Sequence, residues 1–426
     1  MKKESSFSSV LLGIMLFCLL FEDLFTQDYF GTIARSPMVF VSPLIFIFLI
    51  IYERKIHFTT LPRYYFFYAL ITLITAFVML LYTIVFVTNG EMHVYNEFMP
   101  VKIIKTAFYN ITYFFTVYVL ITLCKKVSLE TVYNLVKQTL YFLFIVALIQ
   151  LFASKIPLVN SGNANVSSIF LTASEPSVTA ALFITFVLTV VGLRLFLKKG
   201  TWGTVIILVI SFLILIEIGS KGAVLTLPLA FVVAIRKKLN WKIALLSIVV
   251  IVPIAILIVK QVFPALSRDI ENFNSVSTRA TTWYAAIEST IRFPFGEGYG
   301  TYLVYYPAML LPASHSITTL TGIPLLTGEI VEMVQTGQNI TAKSGVASEM
   351  VNNGVFALIF LGVLCSRYRR LQKKVTIYSS YVIFSMLGVF LFFIFLFTTA
   401  IETAYFYLIP FVVLTKIADQ VKMPAR

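Results

Sequence analysis

Long apolar segments, separated by short basic ones, constrain this sequence more than any other feature. A membrane-spanning helix needs roughly 20 mostly apolar residues, and about twelve segments approach that length. Only 12% of the residues are charged and 59% are hydrophobic, whereas an average soluble domain is about 25% charged. We therefore predict an all-α, polytopic transmembrane helix bundle of about twelve spans. The predicted spans are residues 7–24, 38–52, 64–88, 101–124, 132–153, 176–197, 202–218, 221–235, 242–262, 346–365, 377–397 and 400–417.

The Lys and Arg residues lie in short clusters between these segments. The net charge of +14 would suggest nucleic-acid binding in a soluble protein, but no amphipathic face gathers the charge here. Cytoplasmic loops of membrane proteins are enriched in Lys and Arg. With the amino terminus inside, every inner loop receives a basic cluster and no outer loop receives a comparable one. We predict a multi-pass protein of the cytoplasmic membrane, with both termini cytoplasmic and no nucleic-acid partner.

Residues 264–345 are too polar and too rich in Pro and Gly to cross a membrane. The alternation of spans places this segment outside, and a long loop of this kind is uncommon unless it has a function. We expect short amphipathic or re-entrant helices over the outer mouth of the bundle, with Pro307 and Pro312 as turn signals. The predicted organisation is helices 1–9 in 1–263, a large extracytoplasmic loop in 264–345, and helices 10–12 in 346–426.

Several kinds of site are disfavoured by the sequence. Cys18, Cys124 and Cys365 stand singly, without the spacing of a disulfide framework or a zinc site. The outer loops lack the clustered His or carboxylate residues of a metal site. A dinucleotide-binding glycine fingerprint would need glycine where Thr301 stands. We predict neither a metal nor another cofactor.

The segment Ser277–Tyr302 carries the most chemistry. Arg279 and Trp283 recur at helical spacing and predict an amphipathic helix whose aromatic ring sits at the membrane interface. Pro294 should end this helix, and Gly296 and Gly298 allow turns that other residues avoid.

Three further side chains could act at the same outer end. Lys221 lies between two apolar segments, where an ionisable group suggests function, although it could simply pair with Glu217 or extend to the interface. Glu175 could accept a proton from an incoming hydroxyl, although capping the next helix explains it as well. His315 lies in the large loop, where the two alternatives are a role in the site and simple exposure to solvent.

The chain resembles the bacterial O-antigen polymerase and ligase superfamily. The landmarks occur in the order of that family: Ser174–Ser177 (SEPS), Gly219–Ala223 (GSKGA), Arg279 and Trp283 followed by P-x-G-x-G at Pro294, and Lys343–Gly354 (KSGVASEMVNNG). The resemblance covers residues 170–365 at the level of motifs and the remainder only by hydropathy. It implies a GT-C-like fold and metal-independent, inverting transfer of a glycan from an undecaprenyl-diphosphate carrier at the outer face.

The resemblance also implies roles for individual residues. Lys221 and Arg279 would hold the diphosphate leaving group. Ligase-type members carry a histidine where this chain has Lys343, so either Lys343 is another phosphate contact or His315 reaches in from the loop. The general base stays open among Glu175, His315 and Glu402. The remaining residues expected to bind substrate are Arg268, Arg292, Trp283, Gly296 and Gly298.

The expected function is polymerisation of lipid-linked oligosaccharide repeat units into a capsule, exopolysaccharide or O-antigen. The expected partners are then undecaprenyl-diphosphate-linked oligosaccharides and the lipid bilayer. A chain-length regulator is a further candidate partner. One alternative is the ligase of the same superfamily. The other is a flippase or transporter of the lipid-linked oligosaccharide, although transporters usually show duplicated halves and none is evident in this sequence.

Overall fold

The apolar segments form helices in a computed structural model. The structure describes residues 6–21, 36–54, 58–95, 97–152, 169, 171–173, 176–235, 275–322, 328–337, 340, 342–397 and 404–421. The helices are α1 (Ser6–Cys18), α2 (Met38–Glu53), α3 (Thr60–Phe86), α4 (Met99–Lys126), α5 (Leu129–Phe152), α6 (Pro176–Phe196), α7 (Thr201–Ile218), α8 (Lys221–Ile235), α9 (Ser275–Arg292), α10 (Tyr302–Thr321), α11 (Gly328–Thr336), α12 (Gly345–Asn353), α13 (Val355–Gln372), α14 (Tyr378–Phe397) and α15 (Leu408–Val421). A 3₁₀ turn, Tyr405–Tyr407, precedes α15, and two short strands, β1 (His93–Val94) and β2 (Glu97–Phe98), pair antiparallel before α4.

The all-α fold class is thus confirmed for the described residues. Six of their helices are long and apolar enough to cross a membrane by length and composition: α3, α4, α5, α6, α7 and α14. Helices also cover most of the described residues of the other predicted spans, whereas residues 22–24, 242–262 and 400–403 lie outside the described part of the chain. The total of twelve spans and the orientation of the termini stay predictions.

Helix α6 lies at the centre of the bundle. Its residues Val178–Leu193 are all buried, and it packs against α5, α7, α8, α14 and α15. By contrast, large apolar side chains of α3 and α7 stay exposed, including Phe67 and Leu213. A soluble protein rarely exposes such extended apolar surface, so these outer faces are suited to contact lipid.

The described residues of the predicted large loop form helices rather than a sheet. Helix α9 packs against α10 and α12, and α10 against α11, around a core of its own that includes Ala286, Leu310 and Met333. Pro307 and Pro312 were expected at turns, but both lie inside the continuous helix α10. A proline inside a helix costs about 3 kcal/mol, and burial of the α10 face that carries Leu310 offsets that cost.

The predicted span 346–365 is divided into two helices. Gly354 has φ 54° and separates α12 from α13. A glycine can adopt this left-handed conformation without the steric cost that a side chain brings. The break lets the backbone at Gly354 approach a second segment of the chain, which builds the site below.

We predict that Gly192 on α6 is required for the packing of α6 on α14. A Cβ at Gly192 would lie 2.9 Å from the ring of Phe384, whereas a Cβ at Gly362 on α13 would meet nothing within 4 Å. Gly192→Val should therefore lower the melting temperature of the purified protein by several degrees, and Gly362→Val should change it much less. Equal effects of the two substitutions would contradict this packing.

Candidate functional site

The Arg279–Trp283 face of α9 binds the end of α14. Arg279 donates from Nη1 to the carbonyl of Phe397 (3.0 Å), and Trp283 donates from Nε1 to the carbonyl of Leu396 (3.0 Å). The Ser344 hydroxyl donates to the same Leu396 carbonyl (2.6 Å). The last carbonyls of a helix have no partner inside it and carry partial negative charge. The R-x-x-x-W motif therefore caps α14 and fixes a cation at this end of the bundle.

The backbone of Lys221 lies at the same end as Arg279. Helix α14 begins beside the end of α6, because the Ser380 hydroxyl donates to the carbonyl of Gly192 (2.8 Å). Helix α7 begins there too, because Arg194 of α6 donates to the carbonyl of Gly200 (2.9 Å). Helices α7 and α14 then rise about 27 and 30 Å to the opposite end. Lys221 follows the end of α7 there, and its side chain is outside the described structure.

A turn after α9 locks onto the break between α12 and α13. The backbone N–H of Glu297 donates to the carbonyl of Val351 (2.7 Å), and the N–H of Gly298 donates to that of Asn352 (3.0 Å). In return, the N–H of Val355 donates to the carbonyl of Pro294 (2.8 Å). The P-x-G-x-G and NNG motifs, which stand far apart in the sequence, therefore form one unit.

Glu349 is the centre of a buried hydrogen-bond cluster beside this unit. The side chain is 4% exposed and accepts hydrogen bonds from the hydroxyls of Tyr68 and Tyr299 and from Nδ2 of Asn353. Tyr299 lies 3.0 Å from Oε1 and Asn353 2.9 Å from Oε2. Three donors satisfy the hydrogen-bond acceptors of this carboxyl group in a buried position.

A small cavity adjoins Glu349. Tyr65, Asn110, Tyr113 and Tyr407 contribute to its lining, and the hydroxyls of Tyr65 and Tyr407 lie 3.0 Å apart. Its volume of about 20 Å³ holds about one water molecule. The cavity can therefore hold a water molecule but is too small for a sugar.

Glu297 is a second buried acid, in the turn itself. Its side chain is fully buried, and Oε1 accepts a hydrogen bond from the Ser289 hydroxyl (2.6 Å). Burial raises the pKa of Glu297 to about 8, although the Ser289 hydrogen bond opposes this rise. Because the ordinary value is 4.5, this carboxyl is largely protonated at neutral pH.

The other expected residues lie apart from this cluster or outside the described residues. Arg292 is exposed and pairs with Glu288 one turn earlier. Lys343 pairs with Glu329 of α11 (2.7 Å). His315 is exposed on α10. The described residues contain no group of three His, Cys, Asp or Glu side chains that could hold a metal ion. Glu175, Arg268 and Glu402 lie outside the described structure.

Sequence reasoning missed both buried acids, although a signal for Glu349 existed. Glu349 stands within the predicted span 346–365, and an ionisable residue inside a membrane segment suggests function by default. Glu297 gave a weaker signal, as a charged residue between Gly296 and Gly298.

Comparison with known proteins adds no assignment to this geometry. The chain matches no protein-family model and no curated protein sequence. The proposed function therefore depends on the residues of the site and on the motif resemblance.

We predict that Gly296 cannot be replaced. Its φ is 89°, and a Cβ there would lie 2.2 Å from the backbone oxygen of Asn352. Gly90 has a similar φ of 95°, but a Cβ at Gly90 would meet nothing within 4 Å. Gly90→Ala therefore adds only the backbone strain of alanine at a positive φ, about 1–2 kcal/mol. Gly296→Ala should abolish the monodisperse peak in size-exclusion chromatography, while Gly90→Ala should retain it. Recovery of well-folded Gly296→Ala protein would contradict the close contact.

We also predict that Glu297 makes stability depend on pH. The folded carboxyl, with its raised pKa, binds a proton that the unfolded one has lost, so stability should fall as pH rises from about 4.5 to about 8. The limiting slope is ~1.4 kcal/mol per pH unit. Glu297→Gln should flatten the plot of melting temperature against pH over this range. An unchanged plot in this variant would assign the dependence to other groups.

Proposed function

We propose that the chain is a polysaccharide polymerase that joins undecaprenyl-diphosphate-linked repeat units at the extracytoplasmic face of the cytoplasmic membrane. The supporting observation is the arrangement at one end of the bundle, where Arg279 is fixed and where Lys221 begins a helix. Ser344, which donates to the same Leu396 carbonyl as Trp283, begins the helix that carries Glu349 and its hydrogen-bond donors. Cations and a carboxylate are the groups that a metal-independent transfer from a diphosphate carrier needs.

The proposed reaction is a single displacement. The acceptor hydroxyl oxygen attacks the anomeric carbon, a new glycosidic bond forms, and the bond from that carbon to the diphosphate oxygen breaks. The electron pair of the broken bond leaves with the diphosphate, whose growing charge Arg279 and Lys221 stabilise. A guanidinium has five N–H donors, so one side chain can both cap a helix and bind a phosphate oxygen.

We assign the proton of the acceptor hydroxyl to Glu349. The proton passes through the water-sized cavity lined by Tyr65 and Asn110 to the carboxylate. This assignment replaces the open choice among Glu175, His315 and Glu402. Because the acceptor oxygen attacks the anomeric carbon from the face opposite the leaving diphosphate, the anomeric configuration of the transferred sugar inverts.

Purified protein in detergent, incubated with its diphosphate-linked repeat unit, tests the proposal. Detergent abolishes sidedness, so products longer than one repeat require an enzyme, and a flippase would yield none. Glu349→Gln should reduce polymer formation by roughly 10²–10⁴-fold and leave the protein folded. Glu332→Gln, at an exposed position of α11, should polymerise normally. A wild-type protein without product would contradict the proposed activity.

The catalytic and structural roles of Arg279 can be separated with Ser344. Both side chains donate to the last carbonyls of α14, but only Arg279 carries charge. Arg279→Ala should abolish long polymer while single repeat units remain, whereas Ser344→Ala should lower the melting temperature and still give polymer. Loss of polymer in both variants to the same degree would make capping, and not phosphate binding, the role of Arg279.

A further inference from the structure

A second, more polar cavity lies nearer the start of α3 and the end of α4 than the cavity beside Glu349 does. It is enclosed by the start of α3 and the last turns of α4, α13 and α15, and has a volume of about 310 Å³. Its polar lining includes Thr59, Arg63, Lys125, Arg367 and Asp419. The positive-inside pattern predicts that this end faces the cytoplasm. The polymerase proposal makes no use of this cavity.

The described residues do not balance the charge in this cavity. Three cations, Arg63, Lys125 and Arg367, face a single acid, Asp419. None of the three cationic side chains forms an ion pair or a hydrogen bond with another described residue. The Nε atom of Arg367 is buried and has no hydrogen-bond partner. A buried guanidinium N–H without an acceptor is costly, and an anion in the cavity would satisfy it.

The start of α3 supplies further donors. Thr59 precedes the helix with an extended backbone, makes no side-chain capping bond, and has a buried hydroxyl without a partner. The first N–H groups of a helix are unpaired within it and favour an anion. The helix dipole places partial positive charge at the start of a helix and therefore disfavours a cation there. The dipole of the 27-residue helix α3 thus gives no reason for Arg63 to stand in its first turn. A bound anion explains Thr59, Arg63 and Arg367 together.

We propose that this cavity binds a phosphate group, and that the phosphate belongs to the headgroup of an anionic phospholipid of the inner leaflet. Basic pockets between membrane helices at the cytoplasmic side are suited to such headgroups. Phe58 also lines the cavity, and its side chain is 39% exposed, which provides an apolar rim for the acyl chains. Asp419 limits the net charge of the cavity, so one phosphate saturates it.

The full-length protein in nanodiscs of phosphatidylcholine, with or without phosphatidylglycerol, tests this site. Native mass spectrometry of protein released from the nanodiscs should show a retained phosphatidylglycerol on the wild type. Arg367→Gln and Arg63→Gln should each reduce this retention at least about tenfold, because each removes a charge-assisted hydrogen bond to the phosphate. Arg370→Gln is the matched control, since Arg370 is exposed on the same helix and does not line the cavity.

A parallel arm uses inorganic phosphate in phosphatidylcholine nanodiscs. If phosphate raises the melting temperature of the wild type but not of Arg367→Gln, and phosphatidylglycerol is not retained, the site binds a soluble phosphate compound and the lipid assignment is wrong. Equal loss of retention in Arg367→Gln and Arg370→Gln would show general electrostatic attraction and overturn the site. The absence of both lipid retention and a phosphate effect would overturn it as well.

Discussion

The hydrogen bonds at the end of α14 hold the candidate site together. A helix inside lipid must satisfy its backbone groups within the protein, because no water is present to do so. Arg279, Trp283 and Ser344 supply donors to the final carbonyls of α14. These bonds attach α9 and the start of α12 to the bundle. The turn at Gly296 can then reach the break at Gly354, and Tyr299 can reach Glu349.

The two ends of the bundle solve the problem of buried charge in different ways. Near Arg279, the buried carboxylate of Glu349 has three donors, and the buried Glu297 stays largely protonated because its pKa is raised. At the other end, the three cations Arg63, Lys125 and Arg367 line a cavity whose lining has one acid, Asp419. One end therefore holds a fixed cation and a hydrogen-bonded carboxyl group, and the other holds cations and hydrogen-bond donors suited to an anion. This division is expected if chemistry occurs at one face and lipid contact stabilises the other.

Local sequence signals predicted the local structure well. The apolar segments that the structure describes form helices, Arg279 and Trp283 lie on the predicted helix α9, and this helix ends before Pro294 as expected. These features depend on neighbouring residues. The backbone hydrogen bonds between the turn at Gly296 and the break at Gly354 could not be predicted, because they join segments that are distant in sequence. For the same reason, the sequence alone did not predict that Arg63, Lys125 and Arg367 line one cavity. Pro307 was expected to interrupt a helix, but burial of one face of α10 outweighs the cost of that proline.

The central claim is that the Arg279 end of the bundle faces outward and the Arg367 end faces the cytoplasm. Single cysteines in a variant without Cys18, Cys124 and Cys365 test it directly, with a membrane-impermeant maleimide applied to spheroplasts. His315→Cys, on α10 at the Arg279 end, should be labelled in intact spheroplasts. Arg370→Cys, at the other end, should be labelled only after the membrane is permeabilised. Labelling of Arg370→Cys and protection of His315→Cys in intact spheroplasts would contradict the account.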